Sequence, residues 1–169
     1  KADFIKCNIS DVETINSLLQ NKKFIAIMHF ASFIKVEESL QFPEKYFTNN
    51  TKNSEKLFDT CFKNNLTNII FSSTAAVYGN PTVNGLISEN TKLNPLNPYA
   101  ESKIKTEKKL IKLSKNKLKY IILRYFNVAG SDPYMRSGLI SKNPTHLIKV
   151  ASEAIAGKRD KVIVFGNDY

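Results

Sequence analysis

Three nearly continuous apolar runs, separated by segments with helical signals, constrain the fold of this chain more than any other feature. They are Phe24-Ile25-Ala26-Ile27-Met28-His29-Phe30, Asn68-Ile69-Ile70-Phe71-Ser72 and Tyr120-Ile121-Ile122-Leu123-Arg124-Tyr125-Phe126. None alternates apolar with polar as a half-solvated strand would: the first reads as a strand covered on both faces in a parallel sheet, the second as another buried strand and the third as a further strand. Ser10-Asp11-Val12-Glu13 offers a capping box for a helix through Leu18-Leu19. Pro43 suits the start of a long helix on which Asn50, Ser54, Leu57, Phe58 and Cys61 share a face. Phe4 to Cys7 reads as the end of an earlier strand. Val77 to Asn97, with Pro81, Gly85 and Pro95, reads as a long irregular excursion, and Asn127 to Asn143 as a further loop. After Pro144 a short helix through Ala156 precedes a last strand, Val162-Ile163-Val164-Phe165. Strands alternating with helices predict an α/β doubly wound parallel sheet, in which ligands bind beyond the carboxyl ends of the strands.

The chain has 169 residues, of which 42% are hydrophobic, enough for one domain with a real core. No apolar run reaches the roughly 18 residues of a membrane span, and the Lys1-Ala2-Asp3-Phe4 start lacks a signal-peptide pattern and reads as mid-strand. Cys7 and Cys61 stand apart in apolar-periodic segments. They are expected to be reduced core thiols, which fits a cytoplasmic location, and no metal site is expected. The formal charge of +10 invites a nucleic-acid partner. Against this, Lys103, Lys105, Lys108, Lys109, Lys112 and Lys115 spread around a helix and only three arginines occur, so no nucleic-acid or membrane partner is expected.

Chemistry is concentrated near Tyr99-Ala100-Glu101-Ser102-Lys103. With Asn97 as N-cap and Pro98 as the first helical residue, Tyr99 enters the first turn and Lys103 follows one turn later on the same face. Making tyrosine a base near neutral pH asks for roughly 3 pKa units, or about 4 kcal/mol. One ammonium about 4 Å away gives about that amount at an effective dielectric near 20. The pair alone is weak evidence, because about one tyrosine–lysine pair at this spacing arises by chance in a chain so rich in lysine. The context strengthens it. Phe30-Ala31-Ser32, Ser72-Ser73-Thr74 and Phe126-Asn127 all fall just past expected strand ends, above the same sheet edge. A serine-hydrolase reading fails, since no Gly-x-Ser-x-Gly elbow occurs.

These phrases together resemble the extended short-chain dehydrogenase/reductase superfamily and, within it, the UDP-glucose 4-epimerase family. The likeness is carried by His29-Phe30-Ala31, Glu38-Ser39, Tyr46 to Asn50, Phe71 to Gly79, Asn97 to Lys103, Leu123 to Gly130, Gly157-Lys158-Arg159 and Val164 to Tyr169. The resemblance implies a Rossmann-like sheet lacking its first strands, with residues 1–130 a partial NAD-binding domain. Residues 131–169 would begin the substrate region, with some return to the Rossmann core. The Gly-rich phosphate loop would precede Lys1, so the chain reads as an internal piece of a protein roughly twice as long.

By the same resemblance, Tyr99 would take the proton of the sugar 4-hydroxyl. Thr74 would bond that oxygen and relay the proton, and Lys103 would depress the phenol pKa and hold the nicotinamide ribose. NAD would carry the hydride. Asn8, Ile9, Phe30, Ala31, Ser32, Phe33, Ile34, Asn49 and Phe126 would contact the cofactor as well. Asn127, His146, Leu147, Ile163, Val164 and Phe165 would contact the UDP-sugar. Asn8 stands where many relatives have aspartate, though its amide oxygen can still accept from the adenine amine. Lys35 is assigned no role. Read without the resemblance, Phe30, Phe126, Leu147 and Phe165 would be core, His146 an exposed helix residue and His29 a satisfied core histidine. Ala75 and Ala76 follow Thr74 where dehydrating relatives carry an Asp-Glu pair, which favours C4 epimerisation. A homodimer through the helices after Pro43 and Pro98 is a further expectation. The alternatives are a non-catalytic binding remnant or another nucleotide-sugar enzyme of the superfamily, and both plain and N-acetylated UDP-hexoses stay open.

Overall fold

The computed structural model describes residues 2–80, 86–141, 144–164 and 166. Along the chain come α1 (Val12–Asn21), β1 (Ile27–His29), α2 (Val36–Gln41), α3 (Pro43–Tyr46), a π-helical turn (Phe47–Lys52) and α4 (Asn53–Lys63). They are followed by β2 (Asn68–Thr74), a 3-10 turn (Ala75–Tyr78), α5 (Pro98–Ser114), β3 (Lys119–Tyr125) and α6 (Leu147–Ile155). The chain divides into two compact units, Lys1–Phe126 and Asn127–Tyr169.

The first unit is built on a parallel sheet in the order β1-β2-β3. His29 aligns with Phe71, and Phe71 with Ile122. Because strand side chains alternate between faces, Ile69 and Phe71 point the same way, and there they meet Leu57, Phe58 and Cys61 of α4 and Leu110 of α5 in one core cluster. Ile15 and Leu19 of α1 pack against this cluster. Parallel strands taken in chain order with right-handed crossovers put successive connecting helices on the same face. The neighbouring row, Met28–Ile70–Ile121 in register, therefore stays open, with Met28 58% and Ile121 55% exposed. The expected cover on both faces is seen on one.

Several local expectations are corrected. Phe4 to Cys7 is not a strand, because no partner among the described residues bonds its backbone, and Cys7 is exposed where a core thiol was expected. Cys61 is buried, and burial pushes its thiol up to about 11. The first apolar run is strand only over Ile27–His29, the three residues that pair with β2. Helix α1 starts one residue later than a Ser10 cap implies: Asp11 accepts from the Thr14 N–H at 3.1 Å and the Thr14 hydroxyl at 2.7 Å. The helix after Pro43 is interrupted by the π-helical turn, although Asn50, Ser54, Leu57, Phe58 and Cys61 are all buried as their shared face predicts. The excursion after β2 opens with an ordered 3-10 turn, because Thr74 Oγ1 accepts from the Ala76 N–H at 3.2 Å and Val77 and Tyr78 are core residues. Pro81, Gly85 and Phe165 lie outside the described residues. Val162 to Val164 is not a strand, having no ladder partner among the described residues.

The second unit contains α6, whose Glu153 is bridged by Lys149 at 3.6 Å and Arg159 at 3.1 Å. No helix among the described residues is long and apolar enough to cross a membrane. No group of three or more His, Cys, Asp or Glu side chains among them could hold a metal ion.

Candidate active site

The carboxyl end of β2 and the first turns of α5 assemble one cluster. Asn97 accepts from the Ala100 N–H at 2.9 Å and Pro98 occupies the first turn, so α5 begins where its sequence signals place it. Tyr99, Lys103 and Glu107 then recur every four residues on the face turned to the strand. Lys103 is 2% exposed. Its Nζ donates to the Ser72 carbonyl at 2.9 Å and lies 5.0 Å from the centre of the Phe71 ring and 5.9 Å from that of Tyr99. Burial pulls its pKa down to about 8, with the Glu107 charge acting the other way. The lysine is therefore still mainly an ammonium at neutral pH.

Tyr99 differs from expectation in one respect. Burial holds its phenol above the usual range, and a hydrogen-bonding interaction with Thr74 draws it only partly back. The ammonium is bonded to a strand carbonyl, so desolvation of the phenolate prevails here. The structure thus brings Tyr99, Lys103 and Thr74 together, but does not by itself lower the phenol.

A second group forms after β1. A cavity of about 270 Å³ is lined by Cys7, Asn8, Ile9, Ala31, Ser32, Phe33 and Asn49. Six of these seven are the residues expected at the cofactor, drawn from three separate stretches of sequence. The Asn8 amide oxygen accepts from the Ser10 N–H at 3.0 Å and the Ser10 hydroxyl at 2.9 Å, so the expected bond to an adenine amine would compete with this local turn. Phe30 is 55%, Ile34 66% and Phe126 70% exposed. The core reading of Phe30 and Phe126 is therefore corrected. Each lies just past a strand end. His29 is a satisfied core histidine, bonded to Ser54 Oγ at 2.7 Å between Phe58 and Phe71.

Of the residues expected at the UDP-sugar, Thr74 and Tyr99 belong to the first unit. Asn127, His146, Leu147, Ile163 and Val164 belong to the second. His146 is the half-buried residue preceding α6, and the other four are exposed, which also corrects the core reading of Leu147.

Two residues with clear structural roles at this site carry no assignment from sequence. Asn50, in the π-helical turn, accepts from the Phe33 N–H at 2.8 Å and donates to the Phe33 carbonyl at 3.0 Å and to Ser102 Oγ at 3.2 Å. It ties the loop lining the cavity to α5. Glu107 accepts from Ser73 Oγ at 2.5 Å and from Arg124 Nη2 at 2.8 Å and Nε at 3.2 Å. Its spacing from Tyr99 and Lys103 is the signal that would have found it in a helix otherwise read for its lysines.

Comparison with known proteins accords with this geometry. The model of the NAD dependent epimerase/dehydratase family matches residues 1–168. A UDP-glucose 4-epimerase of Azospirillum brasilense is 42% identical over 98% of this chain and 47% of its own length. The solved UDP-Glc/GlcNAc 4-epimerase of Campylobacter jejuni superposes with a TM-score of 0.78 at 44% identity, over 99% of this chain and 51% of that one. A Brucella ovis UDP-glucose 4-epimerase solved with NAD gives 0.91 at 36% identity, over 99% and 52%. The chain spans about half the length of the curated relatives it matches. With a whole-chain family match and an α/β parallel sheet of the same fold, the chain belongs to the NAD dependent epimerase/dehydratase family.

Proposed function

We propose that this chain is part of an NAD-dependent UDP-hexose 4-epimerase, which inverts carbon 4 by transient oxidation to a 4-keto sugar. The observation that carries the reading is the meeting of Tyr99, Lys103 and Thr74 at the carboxyl end of β2. In this reading Tyr99 takes the 4-hydroxyl proton, and the Thr74 hydroxyl bonds the same oxygen and passes the proton on. Lys103, whose Nζ lies 5.9 Å from the Tyr99 ring centre, would favour a phenolate over the neutral phenol as a nearby positive charge. That opposes the burial that holds the phenol up. Inversion would follow if the C4 carbonyl took hydride back on its opposite face while Tyr99 and Thr74 returned the proton to the carbonyl oxygen, with no net redox change.

Asn8, Ile9, Phe30, Ala31, Ser32, Phe33, Ile34, Asn49 and Phe126 would hold NAD with Thr74, Tyr99 and Lys103. Amide groups beside apolar and aromatic side chains in the cavity suit a ligand that joins a flat base to polar ribose. When bound, it supplies the hydride acceptor and donor. Asn127, His146, Leu147, Ile163, Val164 and Phe165 would hold the UDP-sugar. Ala75 and Ala76 cannot donate or take protons, which supports epimerisation over elimination of water. The names of the relatives favour UDP-glucose and UDP-galactose or their N-acetylated counterparts. A cytoplasmic enzyme of galactose metabolism, dimeric through the α3–α4 segment and α5, belongs to the same reading.

The test is turnover of UDP-galactose and UDP-N-acetylgalactosamine by the purified full-length protein. Tyr99→Phe is expected to lower it by about 100-fold or more while cofactor stays bound, the scale for loss of a positioned acid/base. Near-normal turnover in this variant removes Tyr99 from the role of base, and absence of turnover in the wild type favours a binding remnant.

A further inference from the structure

Three residues one turn apart on α5 hold three successive residues of β2. Tyr99 interacts with Thr74, Lys103 Nζ donates to the Ser72 carbonyl at 2.9 Å, and Glu107 accepts from Ser73 Oγ at 2.5 Å. The first two belong to the catalytic reading above, and the third has no part in it. Glu107 is 1% exposed, and a carboxylate buried this deeply is retained only with partners. It has them on both sides: Ser73 from β2, and Arg124 from β3 through two bonds at 2.8 and 3.2 Å. Arg124 Nη1 in turn donates to the Tyr78 hydroxyl at 2.8 Å and stacks over that ring at 5.1 Å, which ties in the 3-10 turn that follows Thr74. Thr74 is thus held from the residue before it and from the turn after it by one ion pair whose carboxylate is buried.

We propose that Glu107, braced by Arg124, is a positioning residue of the active site, fixing the strand end that carries Thr74 from the same face of α5 as Lys103, one helical turn away. The proposal rests on the epimerase reading for its consequence in turnover, but not for its electrostatic part. An ordinary core salt bridge would stabilise the fold without touching the charge of Lys103. Here the carboxylate sits on the same face of the same helix and raises the pKa of a lysine that burial lowers to about 8. The other groups facing Lys103 do not replace it. His29 of β1 is held neutral, its pKa lowered to about 4 by burial and by the Lys103 charge itself. Tyr99 is a neutral phenol near pH 7, and Arg124 adds a positive charge once Glu107 is neutralised. Removing the Glu107 charge therefore drives the Lys103 pKa in one direction, downward.

The experiment uses full-length wild type, Glu107→Gln and Ser73→Ala, with the Lys103 side-chain carbon beside Nζ followed by NMR against pH. In Glu107→Gln the Lys103 midpoint is expected to fall by about half a pH unit or more, and the alkaline limb of kcat to move to lower pH with it. Ser73→Ala keeps both charges and is the variant that folds if Glu107→Gln does not. It is expected to lower kcat about tenfold with KM for the UDP-sugar within about twofold, as a displaced Thr74 would. An unchanged Lys103 midpoint in folded Glu107→Gln overturns the electrostatic role, whether or not the protein epimerises. Unchanged kcat in Ser73→Ala overturns the positioning role. If wild type shows no turnover while the midpoint still falls, the epimerase reading fails and the coupling of Glu107 to Lys103 stands.

Discussion

At the scale of single residues, two buried cationic or potentially cationic side chains set the pH behaviour. Lys103 is expected to stabilise the Tyr99 phenolate against the burial that opposes it. Lys103→Met keeps the length and loses the charge, so the acidic limb of kcat should move to higher pH. An unchanged limb at saturating cofactor would show that the lysine does not act on the phenol. His29 acts on stability. Its pKa falls from about 6.5 in the unfolded chain to about 4 in the fold, because burial and the Lys103 charge disfavour the imidazolium. A depressed folded pKa means that the unfolded chain binds the extra proton. The contribution is thus complete above pH 6.5 and is lost as pH falls towards 4, by about 3 kcal/mol in all. Urea unfolding of wild type and His29→Phe at pH 7 and pH 4.5 should show the smaller loss in the variant, and equal losses would exclude His29 as a source of acid sensitivity.

At the scale of elements, the wide π-helical turn is used to join three segments. Within it, Thr51 Oγ1 donates to the Ser102 carbonyl at 3.0 Å, and Thr106 Oγ1 donates to the Asn50 carbonyl at 2.9 Å. Meanwhile the Asn50 side chain holds both backbone groups of Phe33. The cavity loop and α5 are therefore fixed to one another through a single buried amide. Gly79 ends the 3-10 turn in a comparable fixed position, at φ +64° and ψ −138°. A Cβ there would sit 2.1 Å from the Asn94 carbonyl oxygen, close to where the Asn94 N–H returns to the Val77 carbonyl at 2.9 Å. Gly79→Ala meets both backbone strain and a clash with main chain, so it should destabilise by about 3 kcal/mol. A loss below about 1 kcal/mol in denaturant unfolding would mean that this turn relaxes freely.

At the scale of the whole chain, the covered and open faces of the sheet predict how it behaves alone. The row of Met28, Ile70 and Ile121 is uncovered, and Phe30 and Phe126 project beyond strand ends. Exposed apolar sheet surface and the β1 edge, unpaired among the described residues, favour association. The 169-residue chain expressed by itself should bind a hydrophobic dye, and it should neither retain NAD nor turn over UDP-galactose. No glycine-dense turn among the described residues offers the stacked N–H groups that would cradle a pyrophosphate. Calorimetric NAD binding by the isolated chain would contradict this and require a different cofactor site.

The sequence alone determined the alternation of strands and helices, the start of α5 at Asn97-Pro98 and the placing of Tyr99 and Lys103 on one face. Each of these follows from periodicity or capping within a few residues. It also marked Asn8, Ala31, Ser32, Phe33 and Asn49 through the resemblance, and the structure brings these to one cavity. Only the tertiary structure decided which sheet face is covered, why Cys7 is exposed, and that Glu107 is an acceptor for partners 34 and 17 residues away. It alone set the direction in which the Tyr99 phenol is shifted. Apolar runs report that a strand can be buried, but not what arrives to bury it. The charge state of a side chain depends on the desolvation and partners that packing supplies, neither of which has a period along the chain.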